Sequence, residues 1–245
     1  MASISINMGS SLTYYYEPQE PGTYMYHCHV EATEHMQMGM LGNLYVTPSQ
    51  DGTTIGGHNT FAYNDTDGST GYDKAYPIQL ASFDPDFHDA SITVQPLPFS
   101  LMRDKYPMMN GRGYPDTVNP AALPAPVENG EQVSQPVSSL ITANSGQKIL
   151  LRLSNLNVTR PYTLMSLGIP MQVVGKDAKL LRGPSGKNLY YKTNSIHLGS
   201  GETADVLLDT AGIAAGTYFL FAAELNYLSN NLEDFGGMMT EIRIN

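Results

Sequence analysis

The residues able to do chemistry are concentrated in one short segment, Tyr26-His27-Cys28-His29-Val30-Glu31-Ala32-Thr33-Glu34-His35-Met36-Gln37-Met38-Gly39-Met40. It holds the only cysteine and three of the six histidines. On a β-strand, side chains alternate between faces. His27 and His29 are therefore expected on one side and Cys28 on the other. A thiolate, an imidazole and a weak, distant thioether form the ligand set of a blue copper site. Cys28 supplies the thiolate, His35 the imidazole and Met40 the thioether, while His27 and His29 face the opposite way and can bind other metal ions. The backbone from Cys28 to its neighbours then offers electrons a short covalent path between metals. Zinc fits less well. Structural zinc sites use paired Cys or Cys-His spacings, and adjacent strand residues do not readily share one ion. Taken singly, each residue has a plainer use: a buried Cys packs as a small hydrophobe, and Met fills cores. The combination is what points to metal.

The surrounding elements must be strands. Only 15% of the 245 residues are charged, and 23 Gly and 16 Pro punctuate the chain, which excludes a coiled coil and favours strands and turns. The 41% hydrophobic content supports a packed core of one or two domains. A formal net charge of −10 excludes a basic grip on a phosphate backbone, so no nucleic-acid partner is expected. No apolar run reaches the roughly 20 residues of a membrane span. Met1-Ala2-Ser3-Ile4-Ser5-Ile6 lacks the basic start and long apolar stretch of a secretory signal. One cysteine leaves Cys28 as a free thiol, a metal ligand or an intermolecular partner.

Strand-like runs are Leu12–Tyr16, Thr23–Tyr26, Leu41–Val46, Pro77–Leu80, Ile92–Val94, Ser139–Ile141, Lys148–Leu153, Met171–Val174, Ser195–Leu198, Ala204–Leu208, Thr217–Phe221 and Thr240–Ile244. Residues 48–75 are rich in Gly, Thr, Asp, Asn and Ser and read as a linker or surface loop. Residues 104–136 are rich in turns and proline. An internal repeat organises the whole. Gly22-Thr23-Tyr24-Met25-Tyr26 matches Gly216-Thr217-Tyr218-Phe219-Leu220, each followed by a Gly-Met pair (Gly39-Met40, Gly237-Met238) and a closing strand. Upstream, Gly9-Ser10-Ser11 matches Gly199-Ser200-Gly201. The two ends thus read as the closing strands of two related β-domains, the first lacking its opening strands. Another chain or a missing segment is expected to supply them.

Gly22-Thr23-Tyr24-Met25-Tyr26-His27-Cys28-His29 with His35 and Gly39-Met40 resembles the copper signature of the multicopper oxidases, the laccase-like cupredoxin family. Asn110–Pro115, Gly146–Leu153 and Gly199–Leu207 are similar to that family's second domain. The resemblance implies an all-β, cupredoxin-like Greek-key β-sandwich: one complete domain plus the closing strands of another. Residues 1–47 would end a first cupredoxin domain carrying the copper motif, 48–75 would link, and 76–245 would form a second domain without copper ligands. It further implies that Cys28 and His35 bind type 1 copper with Met40 axial. His27 and His29 would be type 3 ligands of a trinuclear cluster that reduces dioxygen to water. A reducing substrate would supply the electrons, and the site would be periplasmic or extracellular. Two departures stand out. His35 lies seven residues after Cys28 rather than the family's usual five, which makes Met36 and Met38 rivals to Met40. The remaining type 1 His and the family's His-x-His pairs have no counterpart here, so another domain or chain, a second copy among the options, is expected to complete the centre.

The repeat aligns His27-Cys28-His29 with Phe221-Ala222-Ala223, and Arg160–Met165 carries no histidine where copper-binding family domains place them. The second domain therefore reads as structural. His58 is expected in solvent, His88 in a turn, and His197 on a strand. Asn157-Val158-Thr159 matches a glycosylation sequon, a pattern common by chance. Met108-Met109 and Met238-Met239 are expected to pack, and Asn230–Asp234 to form a solvated loop. Three functions follow: an oxidase with four coppers per functional unit, a type 1 electron carrier with one, and a non-catalytic cupredoxin scaffold with none.

Overall fold

Lys148-Ile149-Leu150-Leu151-Arg152-Leu153 is apolar at nearly every position, which a strand tolerates only when both of its faces are covered. The computed structural model, which describes residues 6–93 and 96–245, shows what covers them. Fourteen strands run in chain order among the described residues: β1 Gly22–His27, β2 Leu41–Val46, β3 Lys74–Phe83, β4 Tyr106–Met109, β5 Ile141–Ala143, β6 Lys148–Asn155, β7 Tyr162–Leu167, β8 Met171–Lys176, β9 Lys179–Leu180, β10 Tyr191–Thr193, β11 Ser195–Leu198, β12 Thr203–Asp209, β13 Gly216–Ala222 and β14 Met239–Ile244. Two short helices join them, α1 Ala32–Gln37 and α2 Pro85–Ser91.

The large sheet has the order β10-β8-β12-β6-β3-β4, with β9 beside β8, and the smaller one β11-β7-β13-β14-β5. Within them β3 runs parallel to β6 and β5 parallel to β14. The two sheets close on one core: Ile78, Leu80, Ile149, Leu151, Leu153, Val206 and Leu208 pack with Leu164, Leu198, Leu220, Ile242 and Ile244. Each such side chain contributes roughly 1.5–3 kcal/mol on burial. The fold is the all-β sandwich expected from the sequence.

Alternate residues of β6 and β12 point away from that core and are buried too. Leu150 and Leu207 lie under Ala62 and Tyr63, so residues 48–75 cover the outer face of the large sheet. The β1–β2 hairpin lies on the same face, with β1 across β12 and β6. It is antiparallel, with Gly22 opposite Val46 and His27 opposite Leu41. Beneath it sits a buried ion pair, Arg152 Nη1 to Asp205 Oδ1 at 3.4 Å. Asp205 also accepts from Thr23 Oγ1 at 2.6 Å and Tyr63 Oη at 2.5 Å, and Arg152 lies over the Tyr45 ring. Burial, and then the Asp205 carboxylate, push the Tyr63 phenol far above its ordinary pKa. Thr203 Oγ1 donates to the Thr23 carbonyl. This polar knot ties β1 and the 48–75 segment to the sandwich.

The proline-rich stretch is organised by Arg112, which is 1% exposed. Its guanidinium donates to the carbonyls of Asp116, Asn119, Ala121 and Gln135.

Four local expectations need correction. Leu12–Tyr16 forms no strand; among the described residues β2 pairs only with β1, and no strand pairs with this run. Ile92 and Thr93 follow α2 in a turn rather than opening a strand, because the Asp84 side chain accepts from Phe87 N–H and Pro85 starts a helix there; Val94 lies outside the described residues. Of Ser139–Ile141 only Ile141 is strand, and β5 continues to Ala143. His58 is not solvated: its imidazole is largely covered and faces Asp73 at 3.6 Å.

Candidate metal centre

The repeat seen in the sequence is reproduced in the hydrogen bonding. Gly22 and Gly216 open β1 and β13 with positive φ values of 142° and 155°. Beyond the end of β1, Cys28 N–H donates to the Met40 carbonyl at 3.0 Å. At the matching point of the second copy, Ala222 N–H donates to the Met238 carbonyl at 2.9 Å. Cys28 and Ala222 therefore occupy equivalent positions at the ends of equivalent strands. In the second copy that position is filled by a methyl group in the core. In the first it carries the thiol.

Past the end of β1 the side chains separate to two sides. The His27 and His29 rings stack at 5.3 Å between centroids on one side, and Cys28 turns to the other. There its Sγ lies 3.3 Å from His35 Nδ1 and 3.1 Å from the Val30 carbonyl. His35 comes from α1. Glu31, with φ of 49°, turns the chain into that helix, so the long Cys-to-His spacing is taken up by a helical turn that swings His35 back over Cys28. Gly39, with φ of 90°, reverses the chain, and Met40 N–H returns to the His35 carbonyl at 3.0 Å. Met40 is thus bonded through its backbone to both Cys28 and His35. Met38 bonds only within the helical turn, to the Glu34 carbonyl; both it and Met40 are exposed.

The donor set suits a soft, four-coordinate metal ion. Two ligands of one tetrahedral ion, a thiolate and an imidazole, sit about 3.5 Å apart by their ordinary bond lengths, close to the observed Cys28–His35 separation. The other ring nitrogen of His35 faces the Glu31 carboxylate at 3.8 Å, the kind of partner that fixes a ligand imidazole's tautomer. His27 Nδ1 donates to the Cys28 carbonyl at 2.7 Å, which leaves its Nε2 lone pair free. Donor atoms of Glu31, Glu34 and His35 lie within 4.8 Å of one another. His27 and His29 are exposed.

The remaining histidines stand apart from this centre. His197 is exposed on β11, 3.0 Å from Thr163 Oγ1. His88 is buried on α2, stacked on Phe83, rather than in a turn. Asn157 of the sequon is 2% exposed, its Oδ1 accepting from the N–H groups of Thr159 and Arg160. Sequence reasoning passed over Gln37 altogether. It is buried, and its amide reaches Asp84, His88 and Asp104. The one available signal was a short polar side chain flanked by methionines in a loop that must dock somewhere.

A family model described as multicopper oxidase matches residues 32–242, and a second with the same description matches residues 2–50. The chain belongs to the multicopper oxidase family. Copper is that family's cofactor, at type 1 and trinuclear centres. No curated protein matches in sequence. Among solved structures, the chain is similar to a blue copper oxidase from Nitrosomonas europaea, with a TM-score of 0.70 and 21% identity over 96% of this chain and 60% of that one. It is similar to the multicopper oxidase mgLAC, with a TM-score of 0.65 and 18% identity over 92% and 56%. A copper nitrite reductase from Nitrosomonas europaea gives 0.60 and 17% over 92% and 63%. This multicopper oxidase chain therefore spans about three fifths of the length of these relatives. Among the described residues, no helix is long and apolar enough to cross a membrane.

Proposed function

We propose that the chain is part of an oxidase in which Cys28 and His35 hold a type 1 copper with Met40 axial, and His27 and His29 serve a trinuclear copper cluster. The single observation that carries the reading is the division at β1: one thiol facing an imidazole at 3.3 Å on one side, and two stacked imidazoles on the other. The equivalence of Met40 with Met238, each accepting from the residue at the Cys28 position, favours Met40 over Met36 and Met38. Copper, when bound, would supply one-electron oxidation of a reducing substrate coupled to four-electron reduction of dioxygen to water.

The chain's own residues do the rest. Cys28 joins the two sides through its backbone, a path of a few covalent bonds to His27 and to His29. Glu31 orients the His35 ring, and the Cys28 carbonyl orients His27. The exposure of His27 and His29 leaves their free nitrogens open to ligands from a further segment or partner chain, which would complete the cluster. A periplasmic or extracellular setting accompanies this reading.

The test is metal stoichiometry with oxygen consumption, on protein isolated from its source. About four coppers per functional unit and oxygen uptake with a phenol, Mn(II) or Cu(I) as donor support the oxidase. One copper and no uptake would mean an electron carrier, and none a scaffold. Nitrite serves as the control acceptor, given the nitrite reductase among the structural neighbours.

A further inference from the structure

We infer that Gln37 is the positioning residue of the metal loop: it locks α1, and with it His35, onto the sandwich. This rests on the copper reading above for its consequence, but not for its geometry. Gln37 is 8% exposed and lies two residues after His35 on a helix of six residues, too short to hold itself in water. Its amide uses both of its ends. Oε1 accepts from the Asp84 backbone N–H at 3.1 Å and from His88 Nε2 at 3.0 Å. Nε2 donates to Asp104 Oδ1 at 2.7 Å. The three partners come from the N-cap of α2, the body of α2 and the strand-flanking segment before β4, all outside the hairpin that carries the metal ligands.

The pocket is built to read an amide. The Gln37 Oε1 can only accept, so His88 turns its Nε2–H to it, and burial lowers the His88 pKa, disfavouring the charged form of its ring. It is held flat by stacking on Phe83 at 4.6 Å. Asp84 is itself fixed, accepting from Phe87 N–H as the cap of α2 and from Arg103 N–H. A carboxylate in place of the amide would set two carboxylates against each other, at the cost of like-charge repulsion or of taking up a proton, Asp104 being already raised by burial; a hydrocarbon would take this partner from the Asp84 N–H, the His88 Nε2–H and Asp104. The other half of the site needs no such anchor, because β1 is already fixed through Thr23 to Asp205. Cys28 and His35 are thus held by two separate attachments, and Gln37 sets the second.

The test inverts the hydrogen-bond pair. Gln37→Glu places an acceptor against Asp104; the double variant Gln37→Glu, Asp104→Asn restores one donor facing one acceptor. Hydrogen exchange is read at the His35 and Met40 amides of metal-free full-length protein, alongside the thiolate-to-copper band after Cu(II) addition. The single variant is expected to exchange about tenfold or more faster at those amides and to weaken or shift the band. The double variant should recover both. Unchanged exchange in Gln37→Glu, or no recovery in the double variant, would overturn the positioning role. A wild-type protein that protects these amides but develops no band would instead overturn the copper reading and leave the docking judged by exchange alone.

Discussion

At the scale of single residues, the pair Arg152 and Asp205 makes the most direct prediction. Both are almost fully buried, and Asp205 takes hydrogen bonds from Thr23 and Tyr63. Asp205→Ala strands a guanidinium away from water and is expected to cost about 3–5 kcal/mol, read as a drop in urea stability. Thr23→Val keeps the shape and removes one donor to a charged acceptor, with an expected loss of about 1.5–3 kcal/mol. Neither residue could be singled out in the sequence: a Thr in a strand and a lone Asp in an apolar run look ordinary until β1 lies across β12. The proposed ligands were different. His27, Cys28 and His29 stood out in the sequence because side-chain alternation assigns them to two sides, and the ring stacking and the sulfur–imidazole contact agree with that division.

At the scale of elements, β1 depends on its close approach to the sheet. A Cβ on Gly22 would fall 2.7 Å from Ala178 Cα, at a φ of 142°. Gly22→Ala is therefore expected to destabilise the protein by about 1–3 kcal/mol and to loosen the hairpin, seen as faster proteolysis within residues 22–46. The contact of α1 with α2 makes a pH prediction. Burial depresses the His88 pKa in the folded chain, against the opposing pull of Glu34, Asp84 and Asp89. The unfolded chain takes up a proton near its ordinary value of about 6.5 and the folded chain resists it. Stability is thus full above that pH and falls as pH drops from about 6.5 toward the folded value. His88→Gln should flatten this part of the acid limb in urea titrations run at successive pH values. Here the sequence was only partly readable. The strands of the sandwich were visible as apolar runs bounded by Gly and Pro, but α1 was not. Six residues with no apolar face show no period, and the contacts that Gln37 makes from this helix are all long-range.

At the scale of the whole molecule, the two copies of one strand-and-loop unit have diverged in what they bury. The second closes its own sandwich, with Ala222 and Met238 inside. The first lays its hairpin over the outer face of that sandwich and presents Cys28, His35 and Met40 beside it. The repeat was legible from Gly-Thr-Tyr and Gly-Met alone. The covering of the large sheet by residues 48–75 was not, because a Gly- and Asp-rich composition reads as solvated even where Ala62 and Tyr63 fill a surface. The arrangement makes sense of a metal loop tied to the sandwich at Thr23 and at Gln37. The most direct measurement is copper content per chain, together with the visible spectrum, on protein purified from its source. The account predicts a blue protein whose thiolate-to-copper band is abolished by Cys28→Ser while the fold persists. A colourless, copper-free protein that remains folded and takes up no Cu(II) at Cys28 would contradict it.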